Sequence, residues 1–288
     1  MKKIFICTNE KQLLGAKVSK FSILSREPGY KDSVEIIHSE QNKYLNSFKG
    51  KYLREGEFTE FDQNDLQSFT LLRFLPPELM EYKGKALVID PDVFLVRPNL
   101  DKLFEMDMND SSIACKKGGK DKLDWATSVM LLDCSKLNHW KLDQFIASMK
   151  KGDLDYRDLM SLNTEGNNIK ELEGSWNDYD RIDSNTTFLH TTQRVTQPWR
   201  KGLEIDTYLK PVKPILGFIP RRKVHRILKK PLSDMYIGHP DKEVNKFFFS
   251  ELSAAINQGF ISVDEIRSEI KKKNIRKDIF SLLTLDET

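Results

Sequence analysis

The chain has 288 residues, 39% of them hydrophobic and 31% charged, with a formal net charge of +3. That length and apolar content suffice for a buried core in one large domain or two small ones. The near-balanced charge excludes a nucleic-acid binder that works through an overwhelming basic field, and the N-terminal Met1 to Thr8 carries too few apolar residues for a signal-peptide core or a membrane span, so a cytoplasmic protein is expected.

Lys3 to Thr8 reads as a short apolar strand, and the spacing of Leu14, Val18, Phe21 and Leu24 predicts a helix over Gln12 to Ser25. After Asn64, a candidate N-cap, the residues Leu66, Phe69, Leu72 and Phe74 predict a second helical segment that stops at Pro76-Pro77. A buried strand follows around Leu87, then a short helix over Asn99 to Phe104, strands at Ser112 to Cys115 and Ser128 to Asp133, and a helix over His139 to Lys150. Strands alternating with helices in this way predict an α/β domain with a mainly parallel sheet flanked by helices, whose ligands bind beyond the carboxyl ends of the strands. Thr8, Asn9, Asp90 and Asp92 fall at such ends. Thr186 to Leu189 favours a further strand, with His190 at its end.

Near residue 205 the character changes, as Pro211, Pro214, Pro220 and Pro231 punctuate a basic segment. Two helical patterns close the chain, one from Asp241 to Asn257 and one beginning at a cap on Ser262, with Ile266, Ile270, Ile275 and Ile279 on one face. The expected division is a domain over 1–205 and a basic, mostly helical region over 206–288. Cys7, Cys115 and Cys134 are odd in number, widely spaced and set in apolar surroundings, which predicts buried free thiols rather than disulfides or a zinc site.

The chemistry concentrates in Lys85-Ala-Leu-Val-Ile-Asp90-Pro-Asp92, an apolar run ending in two acids around a proline. In extended chain, residues i and i+2 face the same side, so both carboxylates can address one cation at the strand's end. Pro91 lacks an N–H for the sheet ladder, so pairing is expected to stop there. Oxygen ligands of this kind suit Mg²⁺ or Mn²⁺, ions that commonly hold a phosphate or diphosphate. Two other pairs, Asp153/Asp155 and Asp178/Asp180, lie in polar, turn-rich stretches where acids are usually solvated or capping. His190 is weak evidence alone, since a lone histidine at a strand end is more often an ordinary packed or surface residue. Its value rises beside Arg194, Arg200 and Lys201, cations placed to meet a diphosphate.

These segments, in this order, resemble retaining glycosyltransferases of the GT-A fold, and among them family 8, which includes glycogenin and bacterial lipopolysaccharide glucosyl- and galactosyltransferases. Ile4 to Thr8 with Gly15, Val18 and Ser22-Ile-Leu is similar to the first strand and helix, whose loop in the family holds the nucleotide, here implying Thr8 and Asn9. Thr70-Leu-Leu-Arg73-Phe-Leu-Pro-Pro is similar to the helix whose arginine approaches the donor. Lys85 to Phe104 matches the Asp-x-Asp strand and its sequel, and His190 to Trp199 resembles the family's His-x-x-Gly-x-x-Lys-Pro-Trp segment. The resemblance spans about residues 3 to 203. It implies Mn²⁺ (or Mg²⁺) on Asp90, Asp92 and His190, a UDP-sugar as donor substrate, and Arg73 and Asp158 as catalytic residues orienting the donor sugar. The acceptor, whether glycan, lipid-linked or protein, is left unspecified.

Several positions depart from the family's pattern. The His190 segment is one residue longer, lacks its glycine, and has Gln197 where the family has a lysine on the diphosphate, so that contact passes to Arg194, Arg200 or Lys201. Where the family has Asn-Ala-Gly, this chain has Ala126-Thr127-Ser128, which offers the hydroxyls of Thr127 and Ser128 to the sugar. The Asp-Gln pair beside the sugar is Asp158-Leu159. Two other readings stand beside the transferase: a haloacid-dehalogenase-like phosphatase using Asp90 and Asp92, opposed by the position of the motif deep in the chain and by Phe94, and a non-catalytic binder of nucleotide sugars or glycans. Lys210 to Lys230 holds eight Lys or Arg and no acid, interleaved with apolar residues such as Ile215 and Phe218. A peripheral contact with anionic lipid at the inner face of the membrane and a solvated face weigh equally there.

Overall fold

Residues Lys2–Thr8 form strand β1, and the chain then turns into helix α1, Leu13–Arg26. Strand β2 (Val34–His38) follows, then a short helix α2 (Lys43–Ser47) and a hairpin of β3 (Lys51–Arg54) with β4 (Glu57–Glu60). Next come α3 (Pro76–Leu79), β5 (Lys85–Ile89), β6 (Val93–Leu95), α4 (Leu100–Glu105), β7 (Ile113–Lys117) and β8 (Trp125–Asp133). Helices α5 (Leu142–Lys151) and α6 (Tyr156–Met160) precede β9 (Ile169–Glu171), β10 (Asp178–Tyr179) and β11 (Phe188–His190). The computed structural model describes residues 1–118, 124–166, 168–206 and 235–285, in two units, Met1–His190 and Thr191–Thr288. The basic stretch from Lys210 to Lys230 lies outside the described residues.

The first unit is built on a six-stranded sheet in the order β2-β1-β5-β8-β7-β9. β1 runs parallel to β2 and β5, β7 parallel to β9, and β8 antiparallel to both neighbours, so five of the six strands point one way. The sheet is thus mainly parallel and α/β, as the strand and helix alternation predicts. Because side chains alternate along a strand, Ile4, Ile6, Leu87, Ile89, Val129 and Leu131 build the core on one face with α1, through Ala16 and Ile23. Phe5, Cys7, Ala86, Val88, Met130 and Leu132 build the other, against Leu72, Phe74 and Trp140. Both faces are covered, which is why these strands read as continuous apolar runs. All three cysteines are free and buried, as expected, and burial pushes the Cys134 thiol up to about 12.

A start to β5 alongside β1 requires Gly84. Its φ is +70°, and a Cβ there would stand 2.3 Å from the Met1 carbonyl oxygen. β5 ends at Ile89, and the Asp90-Pro91-Asp92 corner carries the chain into β6, which belongs to a separate three-stranded sheet in the order β10-β11-β6. Helix α1 pins that corner, since Ser22 Oγ accepts the Leu95 N–H at 2.9 Å and Ser19 Oγ donates to the Val93 carbonyl.

Two local expectations change. The segment behind Asn64 is a series of turns, with Asn64 N–H bonded to Asp62 Oδ1, followed by a 3₁₀ turn over Thr70–Phe74. Pro76 and Pro77 open α3 instead of stopping a helix, because a proline at the first helical positions gives up an N–H that has no intrahelical partner.

In the second unit, α7 (Lys242–Asn257) is capped by Asp241, and α8 (Val263–Lys271) by a reciprocal Ser262/Glu265 capping box. Ile275 and Ile279 are buried but lie past the end of α8, after Lys273 takes φ +60°. The unit's core includes Trp199 stacked on Phe248 with centroids 4.7 Å apart.

Candidate metal centre

The carboxyl ends of β1 and β5 lie at the same edge because the two strands are parallel. Asp90 leaves that edge with its N–H still bonded to the Ser128 carbonyl on β8. Three residues on, β6 pairs antiparallel with β11 so that Val93 faces His190. This register, set by a second sheet, carries His190 to Asp92. One ligand atom each from Asp90, Asp92 and His190 lies within 4.8 Å of the others, a spread comparable to the roughly 4 Å between opposite ligands of one six-coordinate ion. His190 Nε2 stands 3.5 Å from Asp92 Oδ1, and all three residues are more than nine-tenths buried.

The imidazole is aimed by a neighbour that sequence reasoning passed over. Asn177 Oδ1 accepts from His190 Nδ1 at 2.9 Å, and its Nδ2 donates to Ser128 Oγ at 3.0 Å. An amide oxygen only accepts, so the hydrogen of neutral His190 sits on Nδ1 and Nε2 presents its lone pair toward Asp92. Metal-ligating histidines are commonly fixed this way. The Lys116 ammonium bonds the Asn177 carbonyl at 2.9 Å and lies 3.9 Å from the Tyr179 ring centre, and that ring packs edge-on against His190. The only sequence trace of Asn177 is its place beside Asp178/Asp180, a pair set aside as turn acids. Asp178 itself is buried at the start of β10, where it receives bonds from Arg181 and Thr186 rather than standing in solvent.

Arg73 grips Asp90 from the other side. Its Nε donates to Asp90 Oδ1 at 2.8 Å, a second N–H donates to Oδ2, and Nη1 donates to Thr127 Oγ1 at 2.8 Å. Thr127 Oγ1 in turn bonds the Met160 carbonyl at the end of α6, at 3.1 Å. Burial pushes the Asp90 carboxyl above the ordinary aspartate range; the Arg73 guanidinium opposes the push, and the Asp92 charge adds to it. Two carboxylates and an aimed imidazole make a hard, oxygen-rich donor set that fits Mg²⁺ or Mn²⁺, and a cation there would relieve the repulsion between the two acids.

The remaining predicted residues lie as follows. Thr8 is fully buried at the end of β1, with its hydroxyl on the Asn9 carbonyl. Asn9 spends its whole amide within the fold: Oδ1 accepts the Gln12 N–H, and Nδ2 bonds the carbonyls of Asp65 and Leu66 and the Ser68 hydroxyl. Asp158, half-buried on α6, accepts from Asn163 Nδ2 at 2.8 Å. Among the described residues no hydrogen bond or ion pair joins it to the buried trio. In the second unit Gln197 is fully buried, Arg200 Nη2 donates to both carboxylate oxygens of Asp206, and Lys201 is exposed and lines a cleft of that unit. The Arg194 side chain lies outside what the structure describes; its backbone opens a 3₁₀ turn.

The fold and the site define an α/β protein with a mainly parallel sheet and a buried Asp-Asp-His cluster at its carboxyl edge. No protein-family model matches the chain, and no curated protein matches it. Among solved structures, the chain is similar to galactosyltransferase LgtC in complex with donor and acceptor sugar analogs, at 13% identity and a TM-score of 0.48, covering 81% of this chain and 97% of that one. It is also similar to the glycosyltransferase GlyE of Streptococcus pneumoniae TIGR4 (16% identity, TM-score 0.48, 69% of this chain and 57% of that one). A third is mouse xyloside xylosyltransferase 1 (12% identity, TM-score 0.44, 67% and 98%).

Proposed function

We propose that the chain is a metal-dependent glycosyltransferase that moves a sugar from a nucleoside diphosphate donor, UDP-linked, to an acceptor hydroxyl with retention at the anomeric carbon. The observation that carries this reading is the meeting of Asp90, Asp92 and His190 at the carboxyl edge of the sheet, with His190 Nε2 turned toward Asp92 by Asn177. Asp92 and His190 would hold Mn²⁺ or Mg²⁺ directly, and Asp90 would complete the set on its Arg73-facing carboxylate. A divalent cation held there offsets the negative charge that develops on a leaving diphosphate.

The chain's own groups prepare that site. Arg73 holds both oxygens of Asp90 and, through Thr127, ties the Asp90 corner to α6, so it acts on a donor chiefly by keeping the carboxylate in place. Ser128 anchors the Asn177 amide through its hydroxyl and the Asp90 N–H through its carbonyl. Thr8 and Asn9 form the floor of the loop proposed to receive the nucleotide, where Asn9 acts by shaping the loop, its side-chain amide being committed inward. Asp158 is the acid proposed to orient the donor sugar.

The test is a panel of nucleotide sugars with purified protein and Mn²⁺. UDP release from one of them, abolished in Asp92→Asn and His190→Ala proteins that keep a wild-type far-UV spectrum, is the expected result. Phosphate release from monoesters would move the assignment to a phosphatase, and donor binding with no turnover to a binding protein.

A further inference from the structure

The second unit holds a cleft of about 680 Å³ whose walls are cationic. One wall is α7, where Lys246, Phe249, Ser250 and Ser253 fall at i, i+3, i+4 and i+7 and so share a face. Facing it are Lys201, His239 and Arg276. Among the described residues that line the cleft there is no Asp or Glu. We infer that this cleft is a binding site for a phosphate group carried on a larger molecule, a function independent of the metal centre.

The charges there are of two kinds. Arg276 is fixed: Nε and Nη2 pair with the two oxygens of Asp278 at 2.6 and 2.7 Å, Nη1 bonds the Pro198 carbonyl, and the guanidinium lies 5.8 Å from the Phe249 ring centre. Asp278 therefore neutralises one cation, and its carboxyl is held below the ordinary range first by the Arg276 bonds, with Lys201 contributing. Lys201 and Lys246 form no ion pair among the described residues, although the Asp278 carboxylate lies near enough to Lys201 to feel its charge. Lys201 lies along the backbone of Gly238, where a side chain would meet its Cδ and Cε at 3.6 and 3.8 Å. His239 Nδ1 lies 3.1 Å from the Asp241 nitrogen and 3.3 Å from the Asp241 carbonyl oxygen, which anchors the ring at the start of α7.

Two ammonium groups at one cleft match a doubly charged phosphate monoester, whose oxygens can accept a charge-assisted bond from each. A carboxylate carries only one charge. The volume is far larger than one phosphate and lies within the roughly 300–1,000 Å³ of small-molecule sites. Phe249 supplies an apolar surface for the group to which the phosphate is attached.

The experiment uses the full chain, labelled with ¹⁵N, in EDTA, so that Asp90, Asp92 and His190 hold no ion. It is titrated with sodium pyrophosphate and with glucose 1-phosphate, and separately mixed with phosphatidylcholine vesicles with and without phosphatidic acid. Saturable amide shifts clustered at Gly238, Lys246 and Ser250 are expected, with affinity lowered about tenfold or more in Lys246→Glu and unchanged in Asp92→Asn. Sedimentation with phosphatidic acid vesicles, lost in Lys246→Glu, without shifts from the soluble phosphates would assign the phosphate to a lipid headgroup. The inference is overturned if neither source binds, if Lys246→Glu binds like the wild type, or if the shifts fall on the β5 to β6 corner instead. Lys246 is exposed, so its replacement leaves the fold intact. Because the assay contains no metal and no turnover, failure of the transferase reading would leave its result unchanged.

Discussion

Asn177 Oδ1 holds the Nδ1 hydrogen of His190 at 2.9 Å, and that bond decides which ring nitrogen faces Asp92. Neither residue is near the other's partner in sequence; β10 and β11, paired in parallel with Tyr179 beside His190, bring them together.

Replacing Asn177 by alanine should therefore weaken Mn²⁺ binding by about 10- to 100-fold, the usual cost of removing a group that orients a metal ligand. Asn177→Asp keeps an acceptor for Nδ1 and should retain most of the affinity. Isothermal titration with MnCl₂ makes the comparison. Equal affinity in Asn177→Ala would show that His190 is positioned by something else, or is not a ligand.

Arg73 and Asp90 form a buried pair, and breaking such a pair from one side leaves an uncompensated charge. Arg73→Ala should cost about 3–5 kcal/mol in urea unfolding without metal. A double variant, Arg73→Met with Asp90→Leu, should recover much of that loss because no buried charge remains. A near-neutral Arg73→Ala would mean that Asp90 is already protonated in the metal-free protein.

Stability should respond to pH and metal in opposite senses. The Asp90 carboxyl is raised by burial in the folded chain, so without metal it binds its proton more tightly than in the unfolded chain. Its contribution is present at low pH and fades as pH rises through the raised value. Metal binding needs the carboxylate and a neutral imidazole, so it strengthens as pH rises. The Tm increase on adding MnCl₂ should be close to zero near pH ~5 and amount to several degrees near pH ~8. An increase that shrinks with rising pH would contradict this site.

Asn9→Ala should act on the fold before it acts on any ligand. It removes an N-cap and three bonds that tie the end of β1 to residues 65–68, a loss of roughly 2–3 kcal/mol. Thermal unfolding of the free protein should show it in full. A variant with wild-type Tm but lost nucleotide affinity would give Asn9 a direct contact instead.

Thiol reagents supply a check on the core. Cys7, Cys115 and Cys134 are buried, and burial raises all three thiols, so none should react with a disulfide reagent until the protein is unfolded. Fast labelling of Cys7 would mean that the β1 edge opens.

Much of the first unit was readable from local pattern. The strands expected at Lys3 to Thr8, around Leu87 and at Ser128 to Asp133 stand out as apolar runs because both faces of the sheet are covered, and α7 and α8 announce themselves through Asp241 and Ser262; β8 starts earlier, at Trp125, and Glu265 completes the cap of α8. The β3–β4 hairpin escaped notice because its outward residues, such as Phe58 at 51% exposure, break any alternation. The 3₁₀ turn at Thr70–Phe74 was legible as apolar but not as a turn, since its burial comes from the sheet and from Trp140 rather than from its own periodicity.

The candidate site divides along the same line. An acid on each side of Pro91 at the end of an apolar strand is a matter of residues i and i+2, and local geometry is enough to turn both toward one side. His190 entered through a motif order, as one cation-lined segment among several. What joins Arg73 to Thr127 across 54 positions, and Asn177 to Ser128 across 49, is the register of β5 with β8 and of β6 with β11. Register is settled by which faces are buried once all the strands are together, and no short window of the chain contains it. The Asp-Pro-Asp corner was therefore visible in the sequence, whereas the groups that hold its carboxylate and aim its histidine came only with the packed sheets.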